Sequence, residues 1–167
     1  GSGSKSEGIN STALGVDAKA SATNSMAYGS GSNANGVNSL ALGAGATTNQ
    51  SGSLAIGSGS SSLAINSTAI GFNSRSNGAN AIAIGAGTSA TCANSFVLGA
   101  GAIANGVGAG AIGYLANTQG VDAMAVGVKA CALGNNSMAL GTSACSTGVD
   151  SIAIGFSSCA SDTNASA

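Results

Sequence analysis

Asn38-Ser39-Leu40-Ala41-Leu42-Gly43 is one copy of a unit that recurs along the chain. Its closing glycine returns every fourteen residues, at Gly15, Gly29, Gly43, Gly57, Gly71, Gly85, Gly99, Gly113, Gly127, Gly141 and Gly155, which makes eleven in-phase copies. A fixed period of this length marks a repeat array in which each unit packs on its neighbours. The residue before the glycine is Leu14, Tyr28, Leu42, Ile56, Ile70, Ile84, Leu98, Ile112, Val126, Leu140 or Ile154, so the column is aliphatic apart from Tyr28. Two residues earlier stand Met26, Leu40, Leu54, Ile82, Phe96, Met124, Met138 and Ile152, with Thr12, Thr68 and Gly110 as exceptions. Small residues separate the two columns, and apolar spacing of two predicts a short β-strand.

Downstream of the glycine, small residues stand three and five positions on, as at Ala18/Ala20, Ser74/Ser76 and Ala102/Ala104. This alternation predicts a second strand with one face made of small side chains. Nine residues after the glycine sit Asn24, Asn38, Asn66, Asn80, Asn94, Asn136 and Asn164, with Asp122, Asp150, Gly52 and Gly108 in the other copies. Asn, Asp and Gly tolerate left-handed backbone, so each unit turns there. Two strands and two turns in fourteen residues predict one coil of a β-solenoid. Fourteen is also two heptads, but a helix fails on chemistry. The 28 glycines would each cost about 1 kcal/mol there, and a spacing of two forms no heptad seam.

A coil this short encloses little space, so only Ala, Ser and Thr columns fill its inside at protein packing density. The large aliphatic columns therefore point outward. Each Leu or Ile is worth roughly 1.5–3 kcal/mol when buried, so ten left wet forgo on the order of 15–30 kcal/mol. That exceeds the about 5–15 kcal/mol that holds a whole domain together. A continuous stripe of this kind marks an interface. The alternative is a two-sided core inside a flattened monomeric solenoid.

The copies Asn24-Ser25-Met26-Ala27-Tyr28-Gly29, Asn38 to Gly43, Asn66-Ser67-Thr68-Ala69-Ile70-Gly71 and Asn136-Ser137-Met138-Ala139-Leu140-Gly141 resemble the Asn-Ser-Val-Ala-Ile-Gly repeat of YadA-like heads in trimeric autotransporter adhesins. The resemblance runs from about residue 9 to 164. It implies a left-handed parallel β-roll in each chain, with three chains packed side by side through the Val/Ile-type positions. Those positions here are Leu14, Leu42, Ile56, Ile70, Ile84, Leu98, Ile112, Val126, Leu140, Ile154, Met26, Leu40, Leu54, Ile82, Phe96, Met124, Met138 and Ile152. It also implies a non-enzymatic role at the bacterial surface, attaching cells to host matrix such as collagen or to other surfaces. Three-fold symmetry comes from the resemblance; the need for an oligomer comes from the stripe.

Charge is nearly absent, with Lys+Arg 4 against Asp+Glu 5, and Arg75 is the only charged residue between Lys19 and Asp122. No basic patch exists to neutralise phosphates, which argues against nucleic-acid binding. Low charge and few aromatics raise the question of disorder, which the strict period answers in favour of ordered β structure. Residues 97–115 are apolar enough to suggest a membrane span, but their glycines and unbroken phase place them in the solenoid, without membrane contact. Residues 1–8 lack an apolar stretch, so no secretory signal is read there, and they are expected to be a cloning scar or flexible lead-in. Residues 9–164 form the repeat domain and 165–167 a tail. No capping unit is visible at either end, so the chain reads as a piece of a longer fibre. The family's outer-membrane anchor would lie elsewhere.

Cys131, Cys145 and Cys159 share one column, four residues after their glycines. They are expected to face outward on adjacent coils, where parallel side chains are badly aimed for a disulfide. They read as free thiols in place of serine; a bond between two of them, and metal or redox chemistry, are the alternatives. Exposed free thiols are uncommon in secreted proteins, which keeps open a viral or phage fibre as a second reading. Cys92 lies in a different column with no evident partner.

Gly108-Ala109-Gly110-Ala111-Ile112-Gly113 matches the dinucleotide fingerprint, but the repeat supplies a strand where that motif needs a helix. Catalysis has little to work with: histidine is absent and no Cys or Ser has a candidate base. Asp17, Asp122, Asp150 and Asp162 do not cluster as calcium ligands, and no cofactor is expected. The sequons at Asn10, Asn49, Asn66, Asn135 and Asn164 follow from the repeat's own composition. Phe72, Tyr114 and Phe156 each follow an anchor glycine, three units apart. They are candidate ligand contacts at an exposed corner, or else plugs between subunits. An ice-binding surface would need a regular Thr array. The column Lys19, Asn33, Thr47, Ser61, Arg75, Ser89, Ile103, Asn117 is too irregular for one.

Overall fold

The computed structural model describes residues 1–167 as a parallel β-solenoid without a helix. Each coil contributes a three-residue strand such as Leu40–Leu42 and a two-residue strand such as Thr47–Thr48. The longer strands stack into an eleven-stranded sheet and the shorter into a twelve-stranded one. Register advances by one repeat throughout: Leu40, Ala41 and Leu42 face Leu54, Ala55 and Ile56, and Met138, Ala139 and Leu140 face Ile152, Ala153 and Ile154. A slip of one residue would drive leucine into the tube and alanine out of it, so the size pattern pins the pairing.

Four inward columns fill the tube. Ala41 and Ser39 come from the longer strand and the residue before it, Ala46 and Thr48 from the opposite wall, and all are buried. No fully buried side chain is larger than Val97. Most buried hydroxyls are paired within the coil, though Thr118 Oγ1 donates to the Ile103 carbonyl of the neighbouring coil and Ser21 Oγ has no partner. Ser39 accepts a hydrogen bond from Thr48 Oγ1 at 2.9 Å, and Ser62 and Ser67 lie 2.5 Å apart across the tube. Ser25 and Ser137 donate back to the turn carbonyls of Ala22 and Gly134 at 2.7 Å. Each such bond offsets the cost of burying a hydroxyl.

Two corners close each coil. The Asn/Asp/Gly column turns left-handed as expected, with φ of 55° at Asn24 and 68° at Gly52. The other corner holds two unusual residues in succession. The anchor glycines adopt φ between 123° and 142°, where a side chain is strongly disfavoured. A Cβ on Gly43 would also stand 2.5 Å from the Gly57 carbonyl oxygen of the next coil. Two residues on, the chain is left-handed again, at Asp17, Gly31, Gly45, Gly59, Asn73, Gly87 and Gly101, and then at Leu115, Lys129, Ser143 and Ser157. This second left-handed column is absent from the sequence reading.

Both ends lie on the solenoid, unlike the flexible lead-in and separate tail expected of them. Lys5–Ser6 pairs in register with Lys19–Ala20, and Asp17 N–H donates to Ser2 O at 2.9 Å. Gly1 stands fourteen residues before Gly15, so the first eight residues are in phase with the rest. At the other end Ile152 bridges Ser166. Residues 97–115 run through ordinary coils, and no helix is long and apolar enough to cross a membrane. The Gly108–Gly113 stretch holds the strand Gly110–Ile112, and the element after it is the strand Asn117–Thr118.

Candidate functional site: the apolar face and its corners

Alternation along the longer strands turns the alanines in and the large residues out, so both aliphatic columns lie on one face of the rod. None of the eighteen stripe positions named above is buried in the single chain. Leu14, Leu98 and Ile154 are 61%, 50% and 56% exposed, while Leu40, Leu54, Ile56, Ile70, Phe96, Ile112, Met124 and Val126 are half-buried by the neighbouring coils. In-register pairing makes the column before the glycine a ladder continuous from Leu14 to Ile154, while Thr12, Thr68 and Gly110 interrupt the column two residues earlier.

The apolar surface extends round both corners. Ile9, Val37, Ile65, Val107, Val121 and Val149 are exposed just before the Asn/Asp/Gly turn. The sequence reading missed this column because Thr23, Ser51, Ala79, Ala93 and Asn135 interrupt it; aligning all copies on the glycine reveals it. Beside it runs a polar ladder in which Asn24 Nδ2 donates to Asn38 Oδ1 at 3.0 Å and Asn136 Nδ2 to Asp150 Oδ1 at 2.9 Å. At the opposite corner Phe72, Tyr114 and Phe156 are all exposed, Phe156 by 81%. They share one edge of the apolar face but sit about 14 Å apart, three coils at about 4.8 Å each.

One coil departs from the pattern in a compensated way. Gly110 leaves the outer column empty, and the Phe96 ring of the preceding coil lies across the gap. A Cβ at Gly110 would stand 2.5 Å from Phe96 Cζ and 2.9 Å from Met124 Sδ.

The opposite face is mostly polar, with Leu63 and Ile103 as its exposed large apolar residues. Its ion pair, Lys19 Nζ to Glu7 Oε2 at 3.8 Å, is exposed and contributes little. Cys131, Cys145 and Cys159 lie there in register, as free thiols. Burial, with Cys145 alongside, pushes the Cys131 thiol up to about 11. Cys92 Sγ donates to the Asn105 carbonyl at 2.8 Å. No three ligating groups converge on a metal position and no cavity opens between coils, so the molecule presents flat, repetitive surfaces.

The family model of the YadA head domain repeat, which spans two copies, matches residues 6–32, 34–60, 63–88, 119–144 and 146–167, well over half of the chain. Phe96, Val97 and Gly110, the departures from the usual column residues, lie between the third and fourth matched segments. Among solved structures, the collagen-binding domain of the Yersinia adhesin YadA aligns over 98% of this chain and 68% of its own, at 26% identity and a TM-score of 0.39. No curated protein matches.

Proposed function

We propose that this chain, which belongs to the family of YadA head domain repeats, is the head segment of a non-enzymatic, homotrimeric surface adhesin. An adhesin-type role at the cell surface follows from the family. The observation that carries the oligomer is the apolar face, eleven strands long and wrapped round both corners; the number three comes from the family. Three copies that turn this face inward bury it and leave the polar sheet of each chain outside. Leu14, Leu42, Ile56, Ile70, Ile84, Leu98, Ile112, Val126, Leu140 and Ile154, with the column two residues before them, form that contact. Phe72, Tyr114 and Phe156 stand at its edge, where they plug the seam or meet the ligand.

The ligand in this reading is an extracellular matrix protein such as collagen, engaged by many weak contacts along a rod of twelve coils and about 55 Å. Repetition along three chains multiplies weak contacts into useful avidity. The test is binding of the purified oligomer to surfaces coated with collagen or other matrix proteins, against albumin. Saturable binding to a matrix protein that weakens when the oligomer is dissociated supports the proposal; an intact oligomer that treats every surface like albumin overturns it. Replacing Phe72, Tyr114 and Phe156 together by Ser separates their two roles. Lost binding with intact assembly makes them contacts, and lost assembly makes them plugs. The free cysteines favour one second reading, a rigid segment of a viral or phage fibre assembled in a reducing compartment.

A further inference from the structure

The cysteine column lies on the face opposite the aliphatic stripe, so side-by-side packing through the stripe leaves it open to solvent. Cys131 faces Cys145, and Cys145 faces Cys159, on consecutive two-residue strands. Ala132, Ser146 and Ala160 take the inward positions next to them, which directs the thiols outward. Parallel strands stand about 4.8 Å apart, and in-register side chains keep that spacing. A disulfide needs Cβ atoms about 3.5–4.5 Å apart and sulfurs about 2 Å apart, so the stacking opposes one, and all four cysteines are free. A tetrahedral site needs four convergent donors, and no group of even three exists.

A linear bridge fits instead. Two metal–thiolate bonds of about 2.3 Å laid end to end span about 4.6 Å, which matches the spacing between coils. The other outward residues on these strands or just beyond them are Leu133, Thr147 and Ser161, so the column offers neither carboxylate nor imidazole. Donors made only of sulfur select soft ions. We propose that Cys131, Cys145 and Cys159 form a binding ladder for soft, two-coordinate cations of the copper(I) class, each ion held between thiolates of adjacent coils.

The first ion breaks two S–H bonds, forms two metal–sulfur bonds and releases two protons to water; a second ion, sharing the Cys145 thiolate, breaks one more S–H bond and releases one proton, with no change of oxidation state. Uptake therefore strengthens as pH rises and weakens as it falls. Cys145 belongs to both pairs. Without it, Cys131 and Cys159 are two coils and about 9.6 Å apart, beyond the reach of one ion.

The test titrates silver(I), a redox-silent ion of the same class, into the reduced oligomer and into three single variants, Cys131→Ser, Cys145→Ser and Cys159→Ser. Ser61 and Ser89 already occupy this column, so each variant folds. Cys131→Ser and Cys159→Ser each keep one pair and its tight site. Cys145→Ser loses affinity by on the order of 100-fold, the advantage of a second preorganised donor. Equal binding by Cys145→Ser and Cys131→Ser would mean that the thiols act singly and would overturn the ladder. So would a thiol count below four per chain in the air-exposed wild type, which reports a disulfide, or a rise in particle mass with silver, which reports bridging between molecules.

Discussion

At the scale of single residues, the anchor glycine is constrained twice, by its backbone angle and by the coil above it. At Gly71, φ is 130° and a Cβ would stand 2.5 Å from the Gly85 carbonyl oxygen. Gly71→Ala is therefore expected to cost about 1–3 kcal/mol for the backbone alone, with the clash added, read as a lower midpoint in thermal or denaturant unfolding. Leu115 predicts the opposite sign. It sits at φ 56°, where a bulky side chain costs about 1–2 kcal/mol, while glycine's extra chain entropy costs about 0.5–1 kcal/mol. On the backbone terms Leu115→Gly should thus raise stability by about 0–1.5 kcal/mol in the same assay. The anchor column was legible in sequence because nothing substitutes for its glycine. The second left-handed column was not, because Leu115, Lys129, Ser143 and Ser157 take a conformation that their residue types do not advertise, held there by the coils on either side.

At the scale of the element, the interior volume of the coil sets the tolerances. Ala69 is fully buried between Ala55 and Ala83, and Ala69→Leu adds three carbons to a tube that elsewhere accepts nothing larger than Val97. Overpacking of this kind costs about 1–3 kcal/mol or more, while Ser67→Ala, a residue already present at Ala81 in the same column, should cost about 1 kcal/mol or less. Phe96 and Gly110 form a coupled pair on the outer side of the same strands. Gly110→Leu alone collides with the Phe96 ring, whereas Phe96→Leu with Gly110→Leu restores the ordinary column. A double-mutant cycle should return a favourable coupling of about 0.5–3 kcal/mol; additive costs would show that the ring does not fill the gap. Strand identity followed from the period of two, and the small inward columns from the little space that a fourteen-residue coil encloses. The Phe96–Gly110 exchange did not, because a glycine in an aliphatic column reads as a defect until the neighbouring ring is placed over it.

At the scale of the whole molecule, one rod carries two unlike faces. The polar face is built mainly of Ser, Asn and Thr, which water can solvate. The apolar face and its corner columns expose aliphatic surface along the full length of the chain, which the oligomer proposed above would bury. Much of that face was legible, because columns of Leu and Ile survive alignment. The corner valines were obscured by their interruptions, and the in-phase first eight residues by their resemblance to a linker. The central claim is that the stripe is a contact between chains, and molar mass by light scattering, under reducing conditions and across a dilution series, tests it most directly. Three times the chain mass, falling toward one when Ile56, Ile70 and Ile84 are all replaced by Asp, is the predicted result. A wild-type chain that stays monomeric and folded at every concentration would contradict it.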